Sequence, residues 1–371
     1  MERRNITDSP MEIYVHIPFC IKKCDYCDFL SGPSDEETKE RYIEALLQEI
    51  HAVEHTEDYE IVSVFIGGGT PSVLKAEAIA SIMETIQKKF CFSPDAEITI
   101  ESNPGTVDLA KLNAYRETGI NRLSLGLQST DSKELRMLGR IHTYEQFLEN
   151  YKLAQEVGFK NINVDLMYAL KNESLDDLEK DIDKILTLDI KHISCYSLII
   201  EKNTKLYIDN TKYISDDLDS DMYDLIDKKL ENKYHRYEVS NYSITSYESR
   251  HNLTYWKNNE YYGFGLGAAG YIDNIRYTNT RNLSKYISEN YERQEEILTK
   301  EDKIKYEFIL GLRLTNGINK DNFNKKYGIN INEIEVIKEL INKGLLIDDK
   351  INIYVPKKYF YVLNDILVNF V

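Results

Sequence analysis

Cys20, Cys24 and Cys27 put three thiols on one short loop, in a CxxxCxxC run behind the apolar stretch Ile13 to Ile17. Thiolates are the usual ligands of iron–sulfur clusters. Three of them leave a four-iron cluster one ligand short, so one iron stays open to another molecule. The loop fits a structural zinc ion as well, with His16 as the fourth ligand. A disulfide framework is disfavoured, because the chain has no second cysteine cluster to pair with this one.

Other stretches carry chemistry of their own. Gly67-Gly68-Gly69-Thr70-Pro71-Ser72 follows the apolar run Ile61 to Ile66. Glycines let backbone come close to a ligand and offer it N–H and C=O groups, although such a run is also an ordinary turn. Glu101 precedes Ser102-Asn103-Pro104-Gly105 and can accept hydrogen bonds from ribose hydroxyls, or be a plain strand-end carboxylate. Asp165 stands between Val164 and Leu166, and a carboxylate inside an apolar strand needs a partner. Farther on, His251-Asn252-Leu253-Thr254-Tyr255-Trp256 holds the only tryptophan. An imidazole can ligate haem iron axially, and Tyr255 and Trp256 can flank a flat ring. The plain alternative is a satisfied loop histidine packed on a tryptophan. The run Tyr262 to Gly270 allows close backbone approach or forms a hairpin. The chain has no CxxCH motif, so c-type haem attachment is not expected.

These residues need elements to position them. Apolar runs predict strands at 13–17, 61–66, 97–101, 121–128, 161–167 and 192–198. Between them, Ser34 and Glu37 form a capping box for a helix whose apolar face is Tyr42, Ile43, Leu46, Leu47, Ile50 and Val53. Further helices are expected near 75–90, 108–118, 144–157 (capped by Thr143 and Gln146) and 174–188. Alternating strands and helices imply parallel βα units, and six units are too few for the eight of a closed barrel. Chemistry in such folds gathers at the C-terminal ends of the strands, where the cysteines, the glycine turn, Glu101 and Gln128 all fall. After residue 200 come a helix near 215–232 and a strand near 237–242. Residues 300–371 read as helices, a hairpin at 344–353 and a last helix after Pro356, a winged-helix-like unit.

The formal net charge of −16 argues against non-specific nucleic-acid binding, which needs clustered Lys and Arg. Residues 1–12 lack an apolar signal core, and no run of eighteen apolar residues occurs. Three free thiols on one loop fit a reducing compartment. The expectation is a cytoplasmic protein, at most peripheral to the inner face of a membrane.

The cysteine spacing resembles that of the radical S-adenosylmethionine (radical SAM) superfamily. His16-Ile17-Pro18-Phe19 before Cys20 and Asp28-Phe29 after Cys27 resemble the oxygen-independent coproporphyrinogen oxidase group, and within it the HemW-type haem chaperones. The resemblance implies an α/β fold, an open partial (β/α)6 barrel of the TIM type, with the C-terminal unit covering its open end. Gly311-Leu312-Arg313-Leu314 and Gly317-Ile318 match the family pattern there. It implies a 4Fe–4S cluster on Cys20, Cys24 and Cys27. It implies S-adenosylmethionine contacts from Tyr14, Tyr26, Gly68, Gly69, Thr70, Glu101, Gln128, Arg140, Asp165, Ile199 and Ala269, although an arginine after a helix is commonly just solvated. It makes His251, Asn252, Tyr255 and Trp256 candidates for haem. Two departures separate the chain from the oxidases. Phe29 stands where they carry another cysteine, and they have a longer segment ahead of the cluster. The expected function is therefore a haem chaperone that passes haem to an acceptor such as a respiratory enzyme. The oxidase and a zinc protein on the same barrel are the competing readings, and radical chemistry on another substrate stays open. The expected division is a barrel at 1–245, an edge extension at 246–299 and the C-terminal unit at 300–371. A homodimer and a membrane contact are left open.

Overall fold

Six apolar runs pair side by side in chain order, all parallel: β1 (Pro10–Ile17), β2 (Glu60–Gly68), β3 (Cys91–Ser102), β4 (Arg122–Gln128), β5 (Asn161–Tyr168) and β6 (His192–Ser197). This is seen in a computed structural model that describes residues 10–54, 56 and 59–371. Parallel neighbours need a crossover, and helices supply it: α1 (Glu36–His51), α2 (Ala76–Lys89), α3 (Leu109–Glu117), α4 (Ser132–Met137), α5 (Tyr144–Glu156) and α6 (Leu175–Leu186). The helices cover the strand face formed by Ile13, Val15, Ile17, Val64, Ile66, Ile98 and Ile100, all buried. The opposite face reads Glu12, Tyr14 and His16 on β1, Glu97, Thr99 and Glu101 on β3, and His192, Ser194 and Tyr196 on β6. Side chains alternate across a strand, so the barrel has an apolar outside and a polar lumen.

Local differences from expectation have local causes. The capping box of α5 forms as expected, with Thr143 and Gln146 satisfying each other's backbone. That of α1 does not: Asp35 caps the helix instead, accepting from the Thr38 N–H at 2.8 Å. The strand expected near 237–242 is a hairpin, β7 (His235–Arg236) and β8 (Asn241–Ser243), with β8 antiparallel to β6. Glu238 in its turn accepts from the Ser240 N–H at 3.3 Å and from the Asn241 side chain, a local bond that competes with ladder pairing.

The other edge is extended by β9 (Tyr261–Phe264), parallel to β1, then by antiparallel β10 (Ala269–Ile272), β11 (Ile275–Asn279) and β12 (Arg293–Ile297), giving one sheet of twelve strands. Beyond it, the short strands Ile318–Asn319, Asn352–Tyr354 and Ile347–Asp348 form a three-stranded sheet beside helices Lys300–Gly311, Lys320–Tyr327 and Glu335–Asn342. Phe308, Phe323, Ile337 and Phe370 belong to its own apolar core. Arg236 on β7 joins this unit to the barrel, its guanidinium 5.0 Å from the Phe360 ring and 4.6 Å from that of Tyr223. Among the described residues no helix is long and apolar enough to cross a membrane.

One buried carboxylate ties the edge extension to α1. Glu49 accepts from the Gly265 N–H at 2.8 Å, Asn279 Nδ2 at 2.7 Å and Tyr286 Oη at 2.6 Å. Glu49→Ala leaves these donors buried and unpaired. It is expected to cost about 2–4 kcal/mol of stability in denaturant unfolding, with Glu49→Gln less damaging.

Candidate functional site

The loop after β1 is stitched to the glycine turn after β2. The Gly69 N–H donates to Ile17 O at 2.8 Å and the Thr70 N–H to Phe19 O at 2.8 Å. A Cβ on Gly69 would lie 2.7 Å from Phe19 O, so a side chain here would push the two loops apart. Gly68 has φ +111°, and a Cβ there would strike the His16 ring at 2.5 Å. The cysteine loop is closed at its base by Cys20 N–H to Gly32 O and Gly32 N–H to Pro18 O, both 3.0 Å. On its far side the Asp25 N–H donates to Leu138 O, and Asp25 O accepts from the Leu206 N–H, both at 2.9 Å.

Each of the three loop thiols has a hydrogen-bond partner: Ser31 Oγ lies 3.9 Å from Cys27 Sγ, and the other two are reached from across the barrel mouth. Thr70 Oγ1 lies 3.5 Å from Cys20 Sγ, and Arg140 Nη1 lies 3.6 Å from Cys24 Sγ. Asn103 joins these donors, giving Nδ2 to Thr70 Oγ1 at 2.8 Å and accepting from Arg140 Nη2 at 2.6 Å. Burial pushes the Cys27 thiol up. His16 is no fourth ligand: Nδ1 is 2.9 Å from Tyr14 Oη and Nε2 is 3.0 Å from Leu30 O. Among the described residues, no three His, Cys, Asp or Glu side chains converge on a single ion position. A zinc ion needs its ligands at one point, whereas a cluster takes each thiolate on a different iron.

A cavity of about 120 Å³ opens on Cys20, Cys24 and Cys27 and is lined also by Tyr26, Gly68, Gly69, Thr70, Glu101, Gln128, Arg140 and Asp165. Glu101 accepts from the Gly68 N–H at 3.0 Å. Burial, and then the nearby Asp165, push its carboxyl up to about 8. The partner that Asp165 needed is Asn163, whose Nδ2 reaches it at 2.8 Å. Asn163 in turn lies 2.6 Å from His192 Nδ1 through Oδ1. Arg140 keeps Nε buried and without a partner. Three part-buried thiols, an unused guanidinium N–H and a tight glycine cradle fit a cluster with a polar ligand beside it. Not every expected contact shares this cavity. Tyr14 and Ala269 line a second one, of about 310 Å³, with Tyr255, and Ile199 lies just past β6 with 63% of its surface exposed.

The His251 stretch is a helix, Arg250–Trp256, capped by the Ser249 hydroxyl, rather than a loop. His251 is 2% exposed. Its Nδ1 lies 3.1 Å from Ser63 Oγ and 3.0 Å from Glu12 Oε2, and its Nε2 lies 2.8 Å from Tyr255 Oη. Both ring nitrogens of His251 are thus engaged here, and Phe65 stacks on the ring at 4.9 Å. Trp256 is half-buried with Arg313 5.8 Å above its ring, and Asn252 is half-buried. The helix plugs the lumen: the Arg250 N–H donates to Glu97 Oε1 at 3.0 Å and the Thr254 hydroxyl to Glu12. Asn103, Asn163, Glu12 and Glu97 were not singled out from sequence. The alternation Glu12-x-Tyr14-x-His16 was the signal for a polar inner face.

An open barrel of six parallel strands with three cysteines on the loop after the first is the architecture of a radical SAM protein. Residues 14–185 match the radical SAM superfamily, and residues 298–358 match the HemN C-terminal domain. The chain is 35% identical to Heme chaperone HemW of Lactococcus lactis, over 97% of each chain. It is 37% identical to Heme chaperone HemW of Bacillus subtilis, over 92% of this chain and 94% of that one. The chain belongs to the HemW family. Coproporphyrinogen III oxidase (HemN) from Escherichia coli has the same fold, with a TM-score of 0.85 at 23% identity, over 99% of this chain and 91% of that one. The superfamily's cofactors are a 4Fe–4S cluster and S-adenosylmethionine.

Asn103 joins the donors to Cys20 and Cys24. Asn103→Ala is expected to lower the iron and sulfide held per chain after anaerobic reconstitution, and to cost about 1–3 kcal/mol in thermal unfolding. Asn103→Asp, which still accepts from Arg140 but loses the bond to Thr70, should fall between.

Proposed function

We propose that the chain is a haem chaperone that binds haem together with a 4Fe–4S cluster and S-adenosylmethionine, and hands the haem to an acceptor protein such as a respiratory enzyme. The observation that carries this reading is the likeness to proteins named Heme chaperone HemW along 97% of the chain. In this reading Cys20, Cys24 and Cys27 hold the cluster. Gly68, Gly69 and Thr70 take the methionine end of S-adenosylmethionine by backbone approach, Glu101 takes the ribose hydroxyls, and Tyr26, Gln128, Arg140 and Asp165 complete the wall. Tyr14, Ile199 and Ala269, which lie outside this cavity, are further cofactor contacts that the resemblance implies. When bound and reduced, the cluster supplies an electron to S-adenosylmethionine. Asn252, Tyr255 and Trp256 are the sequence candidates for haem, but His251 reaches an iron only if Tyr255 releases its Nε2. Residues 1–245 carry the cofactors, 246–299 complete the barrel edge and 300–371 cover the open end of the barrel. The protein works in the cytoplasm, with a peripheral contact at the inner membrane face and a homodimer as further proposals.

Anaerobically reconstituted protein tests this in one sample. It should contain about four irons and four sulfides, shift the Soret band of added haem, and leave coproporphyrinogen unchanged when cofactor and reductant are present. Steady decarboxylation of coproporphyrinogen would restore the oxidase reading.

Glu101 gives the cofactor site a pH dependence. Its carboxyl, held at about 8, keeps its proton at pH 7, and the ionised form is the stronger acceptor for hydroxyls. Binding of S-adenosylmethionine should tighten about tenfold between pH 7 and pH 9 as the proton leaves. In Glu101→Gln the affinity, read by calorimetry, should be weaker and flat over the same interval.

A further inference from the structure

We propose that haem rests on the barrel mouth, against an apolar rim set among lysines, rather than on the Arg250–Trp256 helix. This rests on the haem-chaperone reading and adds where the haem sits. Three segments that touch one another form the rim: the cysteine loop (20–30), the turn after α4 (138–142) and the stretch after β6 (199–213). The Asp25 backbone joins all three, pairing with Leu138 O and the Leu206 N–H, both at 2.9 Å. Ile21, Phe29, Ile141, Ile199, Ile208 and Tyr213 on these segments are each 58 to 71% exposed. Apolar side chains so exposed and gathered on contiguous loops mark a surface that something covers. Ile21 and Ile141 line one pocket beside Arg140, and Phe29 lines the cysteine cavity, so the apolar surface runs up to the cofactor site.

Charge chooses the occupant. The chain as a whole is acidic, at −16, yet these three segments hold six lysines and arginines against four carboxylates. Lys22 and Lys23 spend their ammonium groups on the backbone oxygens of Gly139 and Phe29, at 3.2 and 2.9 Å. Lys205 pairs with Asp25 at 3.5 Å and with Asp209. Lys202 and Lys212 are not among the ion pairs of the described residues. Exposed apolar side chains on segments that also carry the exposed, unpaired Lys202 and Lys212 fit a flat, apolar, doubly anionic molecule. Haem is that: a broad hydrophobic ring with two propionates on one edge. The helix at 250–256 offers the opposite, a buried face whose imidazole is fully hydrogen-bonded beside Glu12 and Glu97.

The test is haem titration of the full-length, cluster-loaded protein, read at the Soret band, for three variants beside wild type. Ile141→Ser/Ile208→Ser should weaken haem binding roughly tenfold through lost apolar contact. Lys202→Glu/Lys212→Glu should weaken it similarly and remove the loss of affinity that added salt causes in wild type. His251→Ala should bind haem as wild type does, once circular dichroism shows it folded. The cluster's visible absorption checks that the rim variants kept their site. Unchanged haem affinity in both rim variants overturns the proposal while leaving the chaperone reading in place, and so does loss of binding in a folded His251→Ala. Rim variants that alter only the sedimentation of the protein, and not its haem affinity, make the rim a contact between two copies and overturn it as well. A wild type that binds no haem removes the chaperone reading itself.

Discussion

A buried polar lumen is the constraint on which the rest of this molecule depends. Each parallel strand turns alternate side chains inward, and here those are Glu12, Glu97, Arg122, Asp165 and His192 rather than valines and leucines. Burying charges without partners costs several kcal/mol per group. Near the N-terminal ends of the strands the partners come from the chain. His251 and Thr254 meet Glu12, the Arg250 N–H meets Glu97, and Asn163 bridges His192 to Asp165. The helix Arg250–Trp256 is thus the lid that the lower lumen requires. At the mouth the same demand is left partly unmet. Glu101 holds its proton and Arg140 keeps a buried Nε without a partner. A cofactor at this end would complete bonds that the protein leaves open.

The mouth is held by backbone more than by side chains. Gly69 and Thr70 pair with the carbonyls of the cysteine loop, so the loop that carries the thiols and the turn that faces them move as one body. Thr70, Asn103 and Arg140 then carry this rigidity to two sulfurs. Hydrogen bonds to sulfur tune a cluster's reduction potential. In the proposed cluster site these three side chains would act on both the geometry and the electrostatics of the cluster.

Much of this was legible in the residues, for physical reasons. The six strands announced themselves because their outer faces are continuous Ile, Val and Leu, and the cysteine spacing and the glycine turn carry their geometry in short sequence. What was not legible depended on long-range or unusual local contacts. The hairpin at 235–243 looked like one strand because its turn is stabilised by the Glu238 side chain, not by glycine or proline. Asn103 and Asn163 looked like ordinary turn and strand residues, since an asparagine that bridges two partners has no pattern of its own. Glu49 sits on the buried side of an amphipathic helix, and its partners lie more than two hundred residues away.

The surroundings of His251 could not be read from its motif. The spacing of four puts His251 and Tyr255 on one helix face. The fold turns that face inward, so the pair bonds to itself and to β1 and β2. Its reach is then upward through the lumen. His251 stacks 6.2 Å from Tyr14, whose hydroxyl holds His16 at 2.9 Å, and His16 lies directly against Gly68 of the cofactor cradle. Tyr14 also faces the cavity it shares with Tyr255 and Ala269. A continuous column of rings therefore runs from the plug helix to the glycine turn.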